Sequence, residues 1–243
     1  MEKANSALGR ARAAEGGQSS EHIYAHDHPE SDRSREGGFT LWFTGLSGAG
    51  KSTIAHLVGP ELDRRGLVVE YLDGDSVRTH LSKGLGFSKE DRDTNIERIA
   101  WVASRLTRQG GAVIAAAISP YEETRRKARE LVEEWGGFVE AYVAASVEEC
   151  ARRDVKGLYE KAFAGEIKGF TGVDDPYEIP AAPELVLDTE EHDPGESARL
   201  VVEKLEELGL IPAAKPPVRD SEPVEGVWGN REVPPTETRT VKA

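Results

Sequence analysis

The chain has 243 residues, enough to bury one sizeable core, and a formal net charge of −13, which excludes a nucleic-acid or anionic-membrane partner for the chain as a whole. Its single cysteine, Cys150, rules out an internal disulfide and points to a reducing cytoplasm, with the thiol buried and inert. The first twenty residues lack the apolar block of a secretory signal, and no stretch reads as a membrane span.

Residues 1–35 read as a polar, partly disordered arm, composed of small and charged side chains. Its arginines and alanines have some transit-peptide character, against which Glu2 and Glu15 stand. His22, His26 and His28 cluster there, but no cysteine or fourth ligand lies at zinc-site spacing, so they are expected to be solvated. The folded body is expected over 36–211. It opens with an apolar run predicting a strand at 40–44, followed by Gly45, Leu46, Ser47, Gly48, Ala49, Gly50, Lys51, Ser52 and Thr53. This is G-x-x-x-x-G-K-[ST] between a strand and a helix, the setting a P-loop requires. Glycines let backbone N–H groups close around phosphate oxygens, Lys51 supplies charge to the outer phosphates, and Ser52 offers a hydroxyl to Mg²⁺. The helix expected over 51–65 adds its positive dipole end, with Gly66 placed as its C-terminal cap.

A second strand at 67–72 leads into Asp73, Asp75 and Arg78. Ligands of doubly wound sheets lie at the carboxyl ends of the strands, so these three should reach a cleft beside the P-loop, where an acceptor would lie. One Asp can orient or deprotonate an attacking hydroxyl and influence the Mg²⁺ shell, and Arg78 can clamp an anionic group. After Phe87, Ser88 caps a helix, with Asp91 three residues on able to return to the backbone. Ile99, Ala103 and Leu106 form one apolar stripe of that helix; Arg92 and Asn95 continue it in polar form, as a ligand-facing start would. The run 112–118 is apolar almost throughout and predicts a parallel strand covered on both faces. Further strands at 138–143 and 184–187 complete a βαβ rhythm, predicting a three-layer α/β/α sandwich with a parallel sheet of the P-loop NTPase and kinase type. Residues 154–176 are punctuated by glycines and carry Lys156, Lys161 and Lys168; they read as a lid that brings positive charge and excludes water. The Pro-rich stretch 212–243 reads as a solvated tail carrying one aromatic, Trp228.

Together these residues resemble adenylylsulfate kinases over about 19–211. The resemblance rests on Phe39-Thr40-Leu41-Trp42-Phe43-Thr44-Gly45-Leu46-Ser47-Gly48, Leu72-Asp73-Gly74-Asp75 with Arg78, Ile118-Ser119-Pro120-Tyr121, and Lys156-Gly157-Leu158-Tyr159 followed by Gly165 to Gly172 and Asp175-Pro176-Tyr177. It implies ATP and Mg²⁺ as co-substrate and metal, and adenosine 5′-phosphosulfate as acceptor. Lys51, Asp73 and Ser119 would be catalytic, with Ser52 and Asp73 on the metal. Asp75, Arg78, Phe87, Arg92, Asn95, Ile118, Ser119, Lys156, Lys168 and Phe170 would face the acceptor, its adenine stacked between Phe87 and Phe170. Asp73 matches a base or metal-orienting carboxylate, and Ser119 a serine described as a phosphoserine intermediate, although direct in-line transfer needs no covalent step. A homodimer, and ATP sulfurylase as a separate pathway partner, are implied in the same way. The chain departs from the family pattern at Glu122, Glu160 and Phe163, where basic residues are common, and the family's N-terminal aromatic appears as Tyr24. Each departure would cost a charge-assisted bond worth about 1.5–3 kcal/mol if the position touched ligand.

Overall fold

The structure is a computed structural model that describes residues 37–213. The arm with Tyr24 and the three histidines, and the tail beyond 213 with Trp228, lie outside the described residues. Five strands, β1 (Phe39–Thr44), β2 (Val69–Asp73), β3 (Ala112–Ala116), β4 (Gly137–Ala144) and β5 (Leu185–Asp188), form one sheet in the order β2-β3-β1-β4-β5. All four pairings are parallel. β1 and β3 are buried at every position, as continuous apolar runs in a covered parallel sheet should be.

One face carries α1 (Lys51–Arg64) and α7 (Pro194–Glu207); the other carries α3 (Lys89–Arg108) and α4 (Glu122–Glu133). The alternation of strand side chains divides the core accordingly. Leu41, Phe43, Val139 and Val143 pack with Ile54, Val58 and Val201 on the first face. Trp42, Val113 and Phe138 pack with Ile99, Ala103 and Val132 on the second. Shorter helices α2 (Gly74–His80), α5 (Val147–Arg153) and α6 (Leu158–Phe163) complete the order. Gly66 turns the chain after α1 at φ 84°. Cys150 is buried on the α1 face, and burial pushes its thiol above the usual range.

Register decides where chemistry can occur. Phe43 and Asp73 both stand opposite Ala116, so the ends of β1, β2 and β3 coincide. The loops leaving them, 45–50, the start of α2 and 117–121, therefore meet at one edge. Residues 154–176 contain a short helix: Asp154 accepts the N–H groups of Leu158 and Tyr159 at 2.8 and 3.1 Å through one oxygen and that of Glu160 at 3.1 Å through the other, starting α6. Past α7, the Arg65 guanidinium donates to the Pro212 carbonyl at 2.6 Å.

Candidate active site

The residues expected around the donor phosphates form a single stretch of chain, joined by Asp73 from β2. Gly45 adopts φ 144° with its α-carbon pressed toward β4: a β-carbon there would stand 2.5 Å from the Val143 carbonyl oxygen. Lys51, the first residue of α1, is buried, and its ammonium donates to the carbonyls of Gly45 and Leu46 at 2.9 and 2.7 Å. Its charge thus sits inside the curve of the loop. No acid occupies the first turn of α1, which leaves its positive end uncompensated for an anion. The Ser52 hydroxyl donates to Asp73 Oδ2 at 2.7 Å, uniting the two residues expected on the metal across twenty-one positions of sequence.

The residues expected at the acceptor come from several separated segments. Asp75 and Arg78 lie on α2, and the Arg78 guanidinium sits 4.6 Å over the ring of Phe87, which is exposed. Ser88 caps α3 as expected, its hydroxyl accepting the Asp91 N–H at 3.1 Å; the Asp91 carboxylate returns to the backbone at Gly86, 2.9 Å away. Arg92 and Asn95, within the first two turns of α3, are buried although polar. Asn95 is only 4% exposed, and its Oδ1 has no hydrogen-bond partner. A buried amide oxygen left unpaired marks a place where a donor is wanted. Arg92 donates to Thr171 Oγ1 at 2.7 Å, to Asp175 Oδ2 at 2.5 Å and to the Gly169 carbonyl. It therefore binds the lid rather than pointing into open space.

Ile118 and Ser119 form the hinge between the two sides. The Ile118 carbonyl accepts the Thr44 hydroxyl at 2.8 Å and the Gly45 N–H at 3.4 Å, so this loop and the P-loop share bonds. Ser119 has φ 40°, in the range that side chains rarely adopt, and is buried. Its hydroxyl receives the Trp42 indole N–H at 3.1 Å. With the hydroxyl held in this way and the carbonyl accepting the Arg125 guanidinium at 2.7 Å, the surroundings sustain the strained backbone.

In the lid, Phe170 packs edge-on against Tyr159 with ring centroids 4.9 Å apart, while Lys156 and Lys168 are exposed. Asp174 accepts the N–H groups of Gly169 and Phe170, which hold its carboxyl below the usual range. Gly172 fits where no side chain could: at φ 91°, a β-carbon would meet Leu46 Cδ2 at 2.9 Å. The Tyr159 hydroxyl donates to the Ser47 carbonyl at 3.0 Å, joining lid to P-loop. Burial pushes its phenol well above the usual range.

Several positioning residues have no sequence signature. Arg153, closing α5, donates to the Gly48, Ala49 and Thr189 carbonyls and is held by Glu149 at 2.7 Å. Arg125 is 2% exposed and donates to the Ser119 and Glu178 carbonyls, both at 2.7 Å. Glu122, where basic residues were expected from the family pattern, pairs with Arg125 at 2.5 Å, and Glu178 takes its N–H. Asp175 also accepts the Tyr121 hydroxyl at 2.9 Å. Only the motif Asp175-Pro176-Tyr177 hinted at that last role.

Comparison with known proteins agrees with this geometry. Residues 37–188 match the family model described as adenylylsulphate kinase. An adenylyl-sulfate kinase of Picosynechococcus sp. is 58% identical over 174 residues, covering 72% of this chain and 97% of that protein. A probable bifunctional SAT/APS kinase 2 of Sorangium cellulosum is 55% identical over 175 residues, 72% of this chain but 30% of that protein. Among solved structures, the Mycobacterium tuberculosis APS kinase CysC in complex with AMPPNP and APS is 44% identical, with a TM-score of 0.68 over 70% of this chain and 98% of that one.

Proposed function

Because the chain belongs to the adenylylsulfate kinase family, we propose that this site transfers the γ-phosphoryl group of ATP to the 3′-hydroxyl of adenosine 5′-phosphosulfate, giving 3′-phosphoadenosine 5′-phosphosulfate and ADP. The observation that carries the reading is a P-loop whose Ser52 is bonded to Asp73 at the end of β2; a buried Asn95 on α3, whose oxygen lacks a partner, supports it.

The P-loop N–H groups and Lys51 receive the phosphates of ATP. Ser52 and Asp73 suit Mg²⁺, offering two hard oxygens, and no group of three or more His, Cys, Asp or Glu among the described residues could cage an ion alone. That donor set matches an ion that takes its remaining ligands from phosphates and water, and it would supply neutralisation of the charge on the transferred group. Arg78, Arg92 and Asn95 receive the acceptor, and Phe87 and Phe170 present ring faces to its base. The 3′-oxygen attacks the γ-phosphorus as the bond to the β–γ bridging oxygen breaks, and the hydroxyl proton passes to Asp73 or Asp75. Ser119 acts as a positioning residue in this reading, because its hydroxyl is buried against the Trp42 indole. Lys156 and Lys168 add positive charge to the lid.

The catalytic body is assigned to 36–211, with an arm before it and a tail after it. A cytoplasmic homodimer, supplied by a separate ATP sulfurylase, completes the proposal; among the described residues no helix is long and apolar enough to cross a membrane. Coupled ADP release with purified full chain tests the reaction, and gel filtration with light scattering tests the dimer. Turnover with another hydroxyl acceptor but none with adenosine 5′-phosphosulfate overturns the assignment.

A further inference from the structure

We infer that Arg125 is a positioning residue for the acceptor, fixing the 118–119 loop and the root of the lid through one buried guanidinium. The inference rests on the reaction proposed above. Arg125 lies on α4, behind both segments. One terminal nitrogen donates to the carbonyl of strained Ser119; the other donates to the carbonyl of Glu178, where the lid rejoins the body. Its charge also sits 5.8 Å from the centre of the Tyr177 ring, whose hydroxyl meets Thr44 Oγ1 at 2.9 Å. A rigid fork can hold two carbonyls at a fixed separation, which a point charge cannot.

The electrostatics argue that this arrangement is not kept for stability. Arg125 Nε lies 2.9 Å from Glu140 Oε1 inside the protein, but the two are poorly aligned for a hydrogen bond. Arg129 stands 3.6 Å from the other oxygen and is committed to a two-pronged pair with Glu184 at 2.9 and 2.8 Å. Burial pushes the Glu140 carboxyl up despite both cations. A buried pair with imperfect geometry rarely stabilises more than well-packed apolar side chains of similar volume. What apolar side chains could not do is hold the Ser119 and Glu178 carbonyls. The loop that meets the acceptor and the segment that closes over it are thereby set by one group outside the cleft.

The test compares Arg125→Met/Glu140→Leu, which removes the buried charges together, and Arg125→Lys, which keeps the charge but loses the fork. ADP release is measured for each against varied ATP and varied adenosine 5′-phosphosulfate, alongside thermal melting. The double variant is expected to melt within a few degrees of the unaltered chain. Its KM for the acceptor should rise about tenfold and its KM for ATP change by less than about twofold. Arg125→Lys should show the same split at about threefold or more. Unchanged acceptor KM in both variants overturns the inference, as does an equal rise in both constants. A lack of turnover in the unaltered chain instead overturns the parent reaction, and the inference with it.

Discussion

The donor and acceptor sides of this cleft are assembled by different means. Nine consecutive residues, Gly45 to Thr53, joined by Asp73, make the proposed donor side, and most of its bonds are local, such as those from Lys51 to carbonyls five and six positions away. The proposed acceptor side gathers α2, the start of α3, the 118–121 loop and the lid, and its bonds span distances such as Arg92 to Asp175 and Arg125 to Glu178. Local sequence can encode the first; only a completed fold can produce the second. Changes on the donor side should therefore strike the chemical step, while changes on the acceptor side should strike affinity for one substrate.

The strongest test of that division is Lys51→Met. It should lower kcat by about 10²–10³-fold, the usual loss when one charge-stabilising donor is removed, with acceptor KM little altered. A large rise in acceptor KM would break the division. Phe170→Ala comes next: loss of one base-stacking face costs about 1–3 kcal/mol, so acceptor KM should rise about tenfold or more while ATP KM holds. Equal effects on both substrates would show that the lid serves the two sides alike. Tyr159→Phe removes the hydroxyl that bridges lid and P-loop, a bond worth about 1 kcal/mol, and both KM values should rise roughly fivefold. This variant should be the one that blurs the boundary; an effect on the acceptor alone would leave the boundary intact.

The smallest effect concerns the scaffold behind the P-loop. Hydrogen bonds from Arg152 and Arg153 hold the Glu149 carboxyl down to about 2. A carboxyl lowered on folding contributes above its unfolded value and loses that contribution as pH falls through its folded value. The Tm difference between the unaltered chain and Glu149→Gln should thus be flat from pH 7 to 5 and shrink toward pH 2. A difference that vanishes already at pH 4.5 would mean that the arginines do not hold Glu149 in solution.

This division also explains what the sequence disclosed. The strands were legible because β1 and β3 are buried at every position and so read as unbroken apolar runs. The polar start of α3 was legible because Arg92 and Asn95 interrupt a stripe that Ile99 and Ala103 continue. Six-residue α6 was not, since fewer than two turns leave no period to detect and its start depends on how Asp154 is turned. Glu140 sits in a strand among apolar neighbours, where its partners arrive from α4 and from Glu184. The contacts of Glu122 were hidden for the same reason: they depend on Arg125 one turn away and on Glu178 beyond the lid.

The indole bond from Trp42 to the Ser119 hydroxyl has a practical consequence. Trp42 is fully enclosed, whereas Trp101 is more than half exposed. Exposed indoles are open to an aqueous quencher and Trp42 is not. With Trp101, Trp135 and Trp228 replaced by Phe, the remaining emission becomes an optical gauge of the 118–119 loop, built into the chain without a label. Acceptor binding could then be followed in real time before any phosphoryl group moves.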